Sequence, residues 1–234
     1  MTKGDADYAY LLSIIIPTFN EAGTIISTLQ PLQVLRNKGC EVILADGGSD
    51  DATTEQAKPF IDQCVVAEKG RAKQMNAGAH LAQGRWLLFL HADTLLTANF
   101  SSFLMALATT KKQWGFFSLT LTGRHIFFRV IEAAINRRSR ITSIGTGDQC
   151  LFVQRSTFLQ VGRFPDMALM EDISLCKTLR KLSSPWVCRD KVLTSSRRWE
   201  RHGIVKTVLL MWRLRLAYFF GASPDRLVKI YYGE

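Results

Sequence analysis

Four places in this 234-residue chain put ionisable side chains where chemistry can use them. LLFLHADTLL (87–96) runs four apolar residues into His91 and Asp93. LADGG (44–48) closes another apolar run on Asp46. MEDISL (170–175) sets Glu171 beside Asp172, and SSRRW (195–199) places two arginines before a tryptophan. A carboxylate at the end of a buried run is costly unless its charge is compensated. Asp93 therefore either caps the element that follows or meets a cation or a polar ligand. Adjacent acids such as Glu171 and Asp172 serve either as caps at a helix start or, within reach of a hydroxyl, as proton acceptors.

The elements that must carry these residues alternate in type. LLSIII (11–16) reads as a buried strand ending at Pro17. Glu21 to Arg36 has helical spacing that Pro31 kinks or divides. EVILA (41–45) and QCVVAE (63–68) read as strands, with a short helix from Asp51 between them. Gly70 to Gln83 reads as a helix and RWLLFLH (85–91) as a fourth strand. This rhythm predicts βαβ units and a parallel sheet covered on both faces. Asp46 and Asp93 then stand just past the carboxyl ends of two strands, the edge where open α/β sheets bind ligands. Further on, WGFFSLTL (114–121) and DQCLFV (148–153) are strand candidates. Between them IFFRVIEAAI (126–135) has helical spacing that gathers its apolar residues on one face, flanked by Arg124, Arg129, Arg137, Arg138 and Arg140.

Composition narrows the class. Hydrophobic residues make up 47% and charged residues 21%, a globular balance with a sizeable core. The five cysteines contain no C-x-x-C pair, which supports neither a disulfide framework nor a zinc site and fits a reducing cytoplasm. The first ten residues lack a signal-peptide pattern, and no uncharged apolar run reaches the length of a spanning helix. The net charge of +10 is uneven. Residues 1–110 carry 8 Lys+Arg against 11 Asp+Glu, whereas residues 111–215 carry 20 against 7, so an anionic partner is expected for the second half.

Taken in order, IIPTFNEAGTI (15–25), LADGGSDDAT (44–53), GRAKQMNAGA (70–79), LHADT (90–94), GDQCLFVQRSTFLQVGRFPD (147–166), MEDISL and SSRRW resemble a family 2 glycosyltransferase. The resemblance spans roughly residues 11–200 and is closest to the small transferases of the arsenosugar-biosynthesis type. It implies an α/β GT-A (Rossmann-like) fold, a mostly parallel central sheet with helices on both faces in a single domain. Residues 11–110 would bind the nucleotide-sugar donor, 111–200 the acceptor, and 201–234 would add a helical segment. It also implies a metal-dependent, inverting transfer of one sugar to an acceptor hydroxyl.

Residue by residue, the family's D-x-D is here His91-Ala92-Asp93. Asp93 would meet manganese or magnesium, while His91 reads as a second ligand, a ribose contact or a packed side chain. Asp46 would contact the base, or simply form the turn before Gly47-Gly48. Pro17 and Glu21 match the first donor loop, though Glu21 also suits a helix N-terminus. Arg71 and Asn76 match the donor side, with close helix packing as the other use of Asn76 and Gly78. Asp172 would be the base and Glu171 its neighbour. Asp148, Arg198 and Trp199 would hold diphosphate and acceptor, with Ser195 where the family has glutamine.

Two rival classes remain. A sugar-nucleotide-forming nucleotidyltransferase would carry a glycine-rich basic loop after the first strand, where this chain has PTFNEAG. A nucleic-acid-binding protein would use the basic half, but no recognisable module is present, so nucleic acid is not the expected partner. The acceptor is expected to be lipid-linked or a small molecule. IVKTVLLMWRLRLAYFFGA (204–222) either packs on the domain with its arginines at solvent or lies on the cytoplasmic membrane face as a peripheral contact.

Overall fold

Nine residues, Tyr10–Thr18, form β1, the strand around which the first half is built. The structure is a computed structural model that describes residues 8–96 and 100–232; seven of the first ten residues lie outside them. After β1 come α1 (Ile25–Leu29), a 3-10 turn that begins at Gln30 and holds Pro31, and α2 (Gln33–Arg36), so proline divides the helix as its missing N–H requires. Then follow β2 (Cys40–Asp46), α3 (Thr53–Ala57), β3 (Gln63–Val66), α4 (Arg71–Leu81), β4 (Gly84–Phe89) and the short β5 (Thr94–Leu96). The second half holds α5 (Phe100–Thr109), β6 (Trp114–Leu121), α6 (Ile126–Thr142), β7 (Leu151–Gln154), α7 (Arg155–Gln160), α8 (Glu171–Leu182) and β8 (Trp186–Thr194). Three helices end the described chain: α9 (Arg197–His202), α10 (Ile204–Phe219) and α11 (Pro224–Tyr232).

Both halves contribute to one eight-stranded sheet of order β3-β2-β1-β4-β7-β6-β8-β5. The first four strands are parallel, as the alternating pattern requires. Beyond β4 the sheet is mixed: β7 runs antiparallel to both β4 and β6, β8 is parallel to β6, and β5 is antiparallel to β8. Its core lies on both faces. Ile14 and Ile16 pack with Leu44 and Leu88 on one side, and Ile15 packs with Ile43 and Leu87 on the other. Near-continuous aliphatic runs are what a strand buried on two faces needs.

Two differences from the sequence reading bear on the site. Residues 147–149 form a 3-10 turn, closed by reciprocal bonds between Thr146 and Gln149, rather than the start of a strand. Asp148 is thereby carried on a turn. Helix α6 continues to Thr142 and is turned over: the face read as apolar is largely outside. Its inner side carries Glu132, Asn136 and Ser139. The cause is β6, which pairs with β7 only over Trp114–Phe116. Past that point the Leu119 and Leu121 N–H groups donate instead to Asn136 Oδ1 (2.9 Å) and Glu132 Oε1 (2.6 Å), and Asn136 returns a bond to the Leu119 carbonyl. Buried backbone groups must be paired. Here a helix does what a neighbouring strand would do, and Ile126, Phe127, Val130 and Ile141 are left at solvent. Among the described residues no helix is long and apolar enough to cross a membrane.

Close packing of α4 on the sheet depends on Gly78, where an added Cβ would stand 2.5 Å from Ile15 Cγ2 in the core. Gly78→Ala would gain roughly 1 kcal/mol of helix propensity. We expect it nevertheless to destabilise the protein by about 1–2 kcal/mol through overpacking, measured as a lower urea midpoint at unchanged slope.

Candidate functional site

Thr18 and Asp46 are register partners at the carboxyl ends of β1 and β2. The Asp46 carboxylate is buried and fully engaged. It accepts from the Gly48 and Ser49 N–H groups (2.9 and 2.7 Å) and from the hydroxyls of Ser49 (2.5 Å) and Thr18 (3.2 Å). The turn use of Asp46 is thus the one seen, with Gly48 at φ +83° completing it. This turn is tied to the loop after β1. Asn20 N–H donates to Ser49 Oγ, Asp50 N–H to Asn20 Oδ1, and Glu21 N–H to Thr53 Oγ1. Pro17 sits inside β1 opposite Ala45. The Glu21 carboxylate accepts from Thr24 Oγ1 (2.6 Å) and lies 3.9 Å from an Arg197 nitrogen, which brings the segment after β8 over the first loop.

Helix α4 opens beside these loops. Gln74 donates to the Thr18 and Ala45 carbonyls (2.6 and 2.9 Å) and fixes the helix start against both strand ends. Asn76 is spent elsewhere: its amide donates to the Phe164 carbonyl and its oxygen accepts from Phe164 N–H, pinning the 163–166 loop. Arg71, the first helical residue, points its guanidinium at Glu171, 3.8 Å away.

The acids converge at the next strand end. His91 is nearly buried, with Nδ1 3.3 Å from Asp148 Oδ1. Its other nitrogen faces Gly147, where a Cβ would stand 2.4 Å from it. Nδ1 is therefore engaged by Asp148, while the Nε2 side of the ring packs against Gly147. Asp172 accepts from Gly147 N–H (2.8 Å) and from its own Ile173 N–H (2.6 Å), and Glu171 is buried beside it. Asp93 is half-buried and adds its field to that of Asp148 on Cys150. Its backbone carbonyl accepts from Ser195 N–H, and its carboxylate has no partner among the described residues. Also among these residues, no group of three or more His, Cys, Asp or Glu side chains is arranged to hold a metal by itself.

These environments push the carboxylates apart. Burial first, and then the charge of Asp172, raise Glu171 to about 7 against the opposing pull of Arg71. Asp172 is raised too, by burial, although the Gly147 and Ile173 N–H groups favour its ionised form. Asp148 goes the other way. Desolvation opposes its charge, but the hydrogen bond from His91 and the charges of His91, Arg71 and Arg198 outweigh that and hold it below the usual range. Desolvation likewise opposes the charge of Arg71, and Glu171, Tyr231, Asp148 and Asp172 overcome it, raising Arg71 above the ordinary arginine value.

Arg198 and Trp199 part company. Arg198 lies 3.8 Å over the Tyr231 ring, donates to its hydroxyl and adds its charge near Asp148. Trp199 packs towards the core and lines a pocket of about 320 Å³ with Arg124, His125, Phe128, Gly203 and Ile204. Two members of the cluster were not singled out in the sequence as site residues. Arg138, on α6, feels the charges of Asp172 and Asp148, and its Nε is buried without a partner. Tyr231 comes from α11, at the other end of the chain. Arg138 stood out in the sequence only as one of a basic group, and nothing in the sequence marked Tyr231.

Residues 13–114 match the family described as Glycosyl transferase family 2. A PGL/p-HBAD biosynthesis glycosyltransferase of Mycobacterium bovis is 37% identical over 95 residues, 38% of this chain and 37% of that one. The UDP-Glc:alpha-D-GlcNAc-diphosphoundecaprenol beta-1,3-glucosyltransferase WfgD of Escherichia coli is 30% identical over 95 residues, 38% of each chain. The matched part thus spans well under half of these relatives. Among solved structures, the mannosyltransferase PcManGT of Pyrobaculum calidifontis, in complex with GDP-Man and Mn2+, superposes with a TM-score of 0.63 at 20% identity, over 90% of this chain and 61% of that one. These likenesses speak to family and fold and not to the arsenosugar-biosynthesis subgroup.

The shift on Glu171 has a measurable sign. A carboxyl raised from 4.5 to about 7 contributes stability that is present below pH 4.5 and lost as pH climbs through 7. Glu171→Gln cannot lose it. Measured by urea unfolding, the variant should therefore gain on the wild type between pH 4.5 and 8, by about 3 kcal/mol at most.

Proposed function

We infer that this chain, a family 2 glycosyltransferase of the GT-A fold, moves a sugar from a nucleotide-sugar donor to an acceptor hydroxyl with inversion. The observation that carries the reading is the meeting of Asp148, Glu171 and Asp172 with Arg71, Arg138 and Arg198 at the carboxyl edge of the parallel strands, with Asp93 acting beside Asp148 on Cys150. Ligands of open α/β sheets bind there. The tied loops after β1 and β2, with Pro17, Glu21 and Asp46, form the floor for the nucleoside, and Asn76 supports that side from behind through the 163–166 loop.

A magnesium or manganese ion held by one or two carboxylates and the donor's own phosphates needs no protein cage, and Asp93 offers such a carboxylate. When bound, the ion neutralises charge developing on the departing diphosphate. His91, 3.3 Å from Asp148 Oδ1, would act by orienting that carboxylate. Arg71 and Arg198 face the same diphosphate as fixed positive charges.

Asp172 is the base. It is more open than Glu171, and its raised proton affinity suits removal of a hydroxyl proton. In the step, the acceptor O–H proton passes to the Asp172 carboxylate and the freed oxygen pair bonds the anomeric carbon. The bond from that carbon to the diphosphate oxygen breaks, and its electrons leave with the nucleoside diphosphate. A single displacement inverts the anomeric centre. Glu171, paired with Arg71, holds that arginine in place. The acceptor is lipid-linked or a small molecule, met in the cytoplasm or at the cytoplasmic membrane face.

Two measurements test the reading. Thermal shifts with UDP and GDP should appear only with manganese or magnesium, and Asp93→Asn should abolish the metal-dependent part; equal shifts with EDTA would remove the metal from the scheme. In transfer assays with UDP- and GDP-sugars, Asp172→Asn should bind nucleotide normally and lose about 10²-fold or more in rate. Near wild-type transfer would move the base to Glu171, and a retained anomer would contradict single displacement.

A further inference from the structure

Helix α10 has two unlike sides. Thr207 and Leu214 are buried, and Leu210, Met211 and Tyr218 pack with Leu214 against Met170, Ile173 and Leu227. The opposite side carries Val205, Leu209, Trp212, Leu216 and Phe219, each 60–75% exposed. At about 100° per residue this row covers an arc of roughly 80°. Lys206 and Arg213 flank it on one side and Arg215 on the other. The placement of Arg215 away from the other two, which in sequence spoils the amphipathic pattern, thus brackets an apolar ridge with cations.

Helix α6 shows a second such face for an independent reason. It spends its polar side on the open backbone of β6, and so presents Ile126, Phe127, Val130 and Ile141 outward beside the exposed Arg137 and Arg140. Phe128 and Ile204, near the first turns of the two helices, line the same pocket, so the starts of α6 and α10 lie close together. Large contiguous apolar surface on a water-facing protein marks an interaction site.

We propose that the outer faces of α6 and α10 dock the protein on an anionic lipid bilayer. The ridge enters the headgroup boundary, Trp212 lies at the interface, and the flanking Lys and Arg side chains reach the lipid phosphates. Charge selects this occupant. The half that bears both helices holds 20 Lys+Arg against 7 Asp+Glu, which an anionic surface complements. A second copy would set Lys206, Arg213 and Arg137 against cations of its own kind. The inference deepens the membrane contact of the function proposed above. Its test uses neither nucleotide nor metal, so the two can fail separately.

The test is sedimentation of the full chain with vesicles of phosphatidylcholine, with and without phosphatidylglycerol. The wild type should pellet with the anionic vesicles at low salt and be released as salt rises. Leu209→Asp/Trp212→Asp should reduce partitioning tenfold or more, on the order expected for burying two large apolar side chains. Its melting temperature should stay unchanged, because both positions are exposed. Lys206→Glu/Arg213→Glu should lose about fivefold or more per charge on anionic vesicles alone. A wild type that stays in the supernatant with anionic vesicles at low salt would overturn the proposal. So would a dimer in sedimentation velocity that Leu209→Asp/Trp212→Asp converts to monomer, since that assigns the ridge to self-association.

Discussion

Four carboxylates share one edge of this sheet, and like charges so placed cannot all ionise unless cations stand among them. Arg71, Arg138 and Arg198 are those cations, each delivered by a different helix. The result is a division of labour. Asp148, held by His91 and two arginines, stays charged, while Glu171 and Asp172 hold protons more tightly than free acids do. Pairs of acids pushed apart in this way recur in sites that must both bind cations and move protons.

The surrounding architecture serves to keep that arrangement in place. Gln74 binds the ends of two strands to the start of α4, and so sets Arg71. Gly147 packs on the His91 ring while its N–H holds Asp172, so one turn locates a histidine and two acids together. Met170 takes a left-handed backbone, φ +71°, just before the acid pair. For a non-glycine residue that costs on the order of 1 kcal/mol or more, offset here by burial of its side chain with Ile173 and Leu214. At the opposite edge, buried Glu41 is satisfied by neutral donors, the side chains of Ser13 and Gln63 and the N–H groups of Gln83 and Gly84. The contrast separates a structural carboxylate from Asp93, whose carboxylate has no hydrogen-bond donor among the described residues.

Much of the first half was legible because strands buried on two faces announce themselves as aliphatic runs. β1, β2 and β4 fall within two residues of their predicted ends, and the break at Pro31 was readable from its missing donor. β8 was not read, since Arg189, Asp190 and Lys191 interrupt its apolar pattern. The facing of α6 was misread for a subtler reason. Periodicity tells which residues share a side but not which side is wanted, and an incomplete strand wanted the polar one. In the site, the residues carrying charge were visible as short motifs. Their partners Arg138 and Tyr231 were not, because they owe their positions to contacts between distant segments. Asn76 and Trp199 carry motif-like surroundings yet serve packing and a separate pocket.

A single residue, Gly203 at φ +83°, joins α9 to α10. Arg198 therefore sits on an arm with almost no slack relative to the helix whose inner side touches Met170 and Ile173. Laid along a plane by its 16 residues, about 24 Å, α10 would take away the free tumbling of the whole molecule. The arginine-lined edge would then stand at one height and one tilt above the headgroups. For a lipid-linked acceptor, reach would become a matter of spacer length: a short stem between lipid and sugar would fall beneath the edge, and a long one would have to fold back.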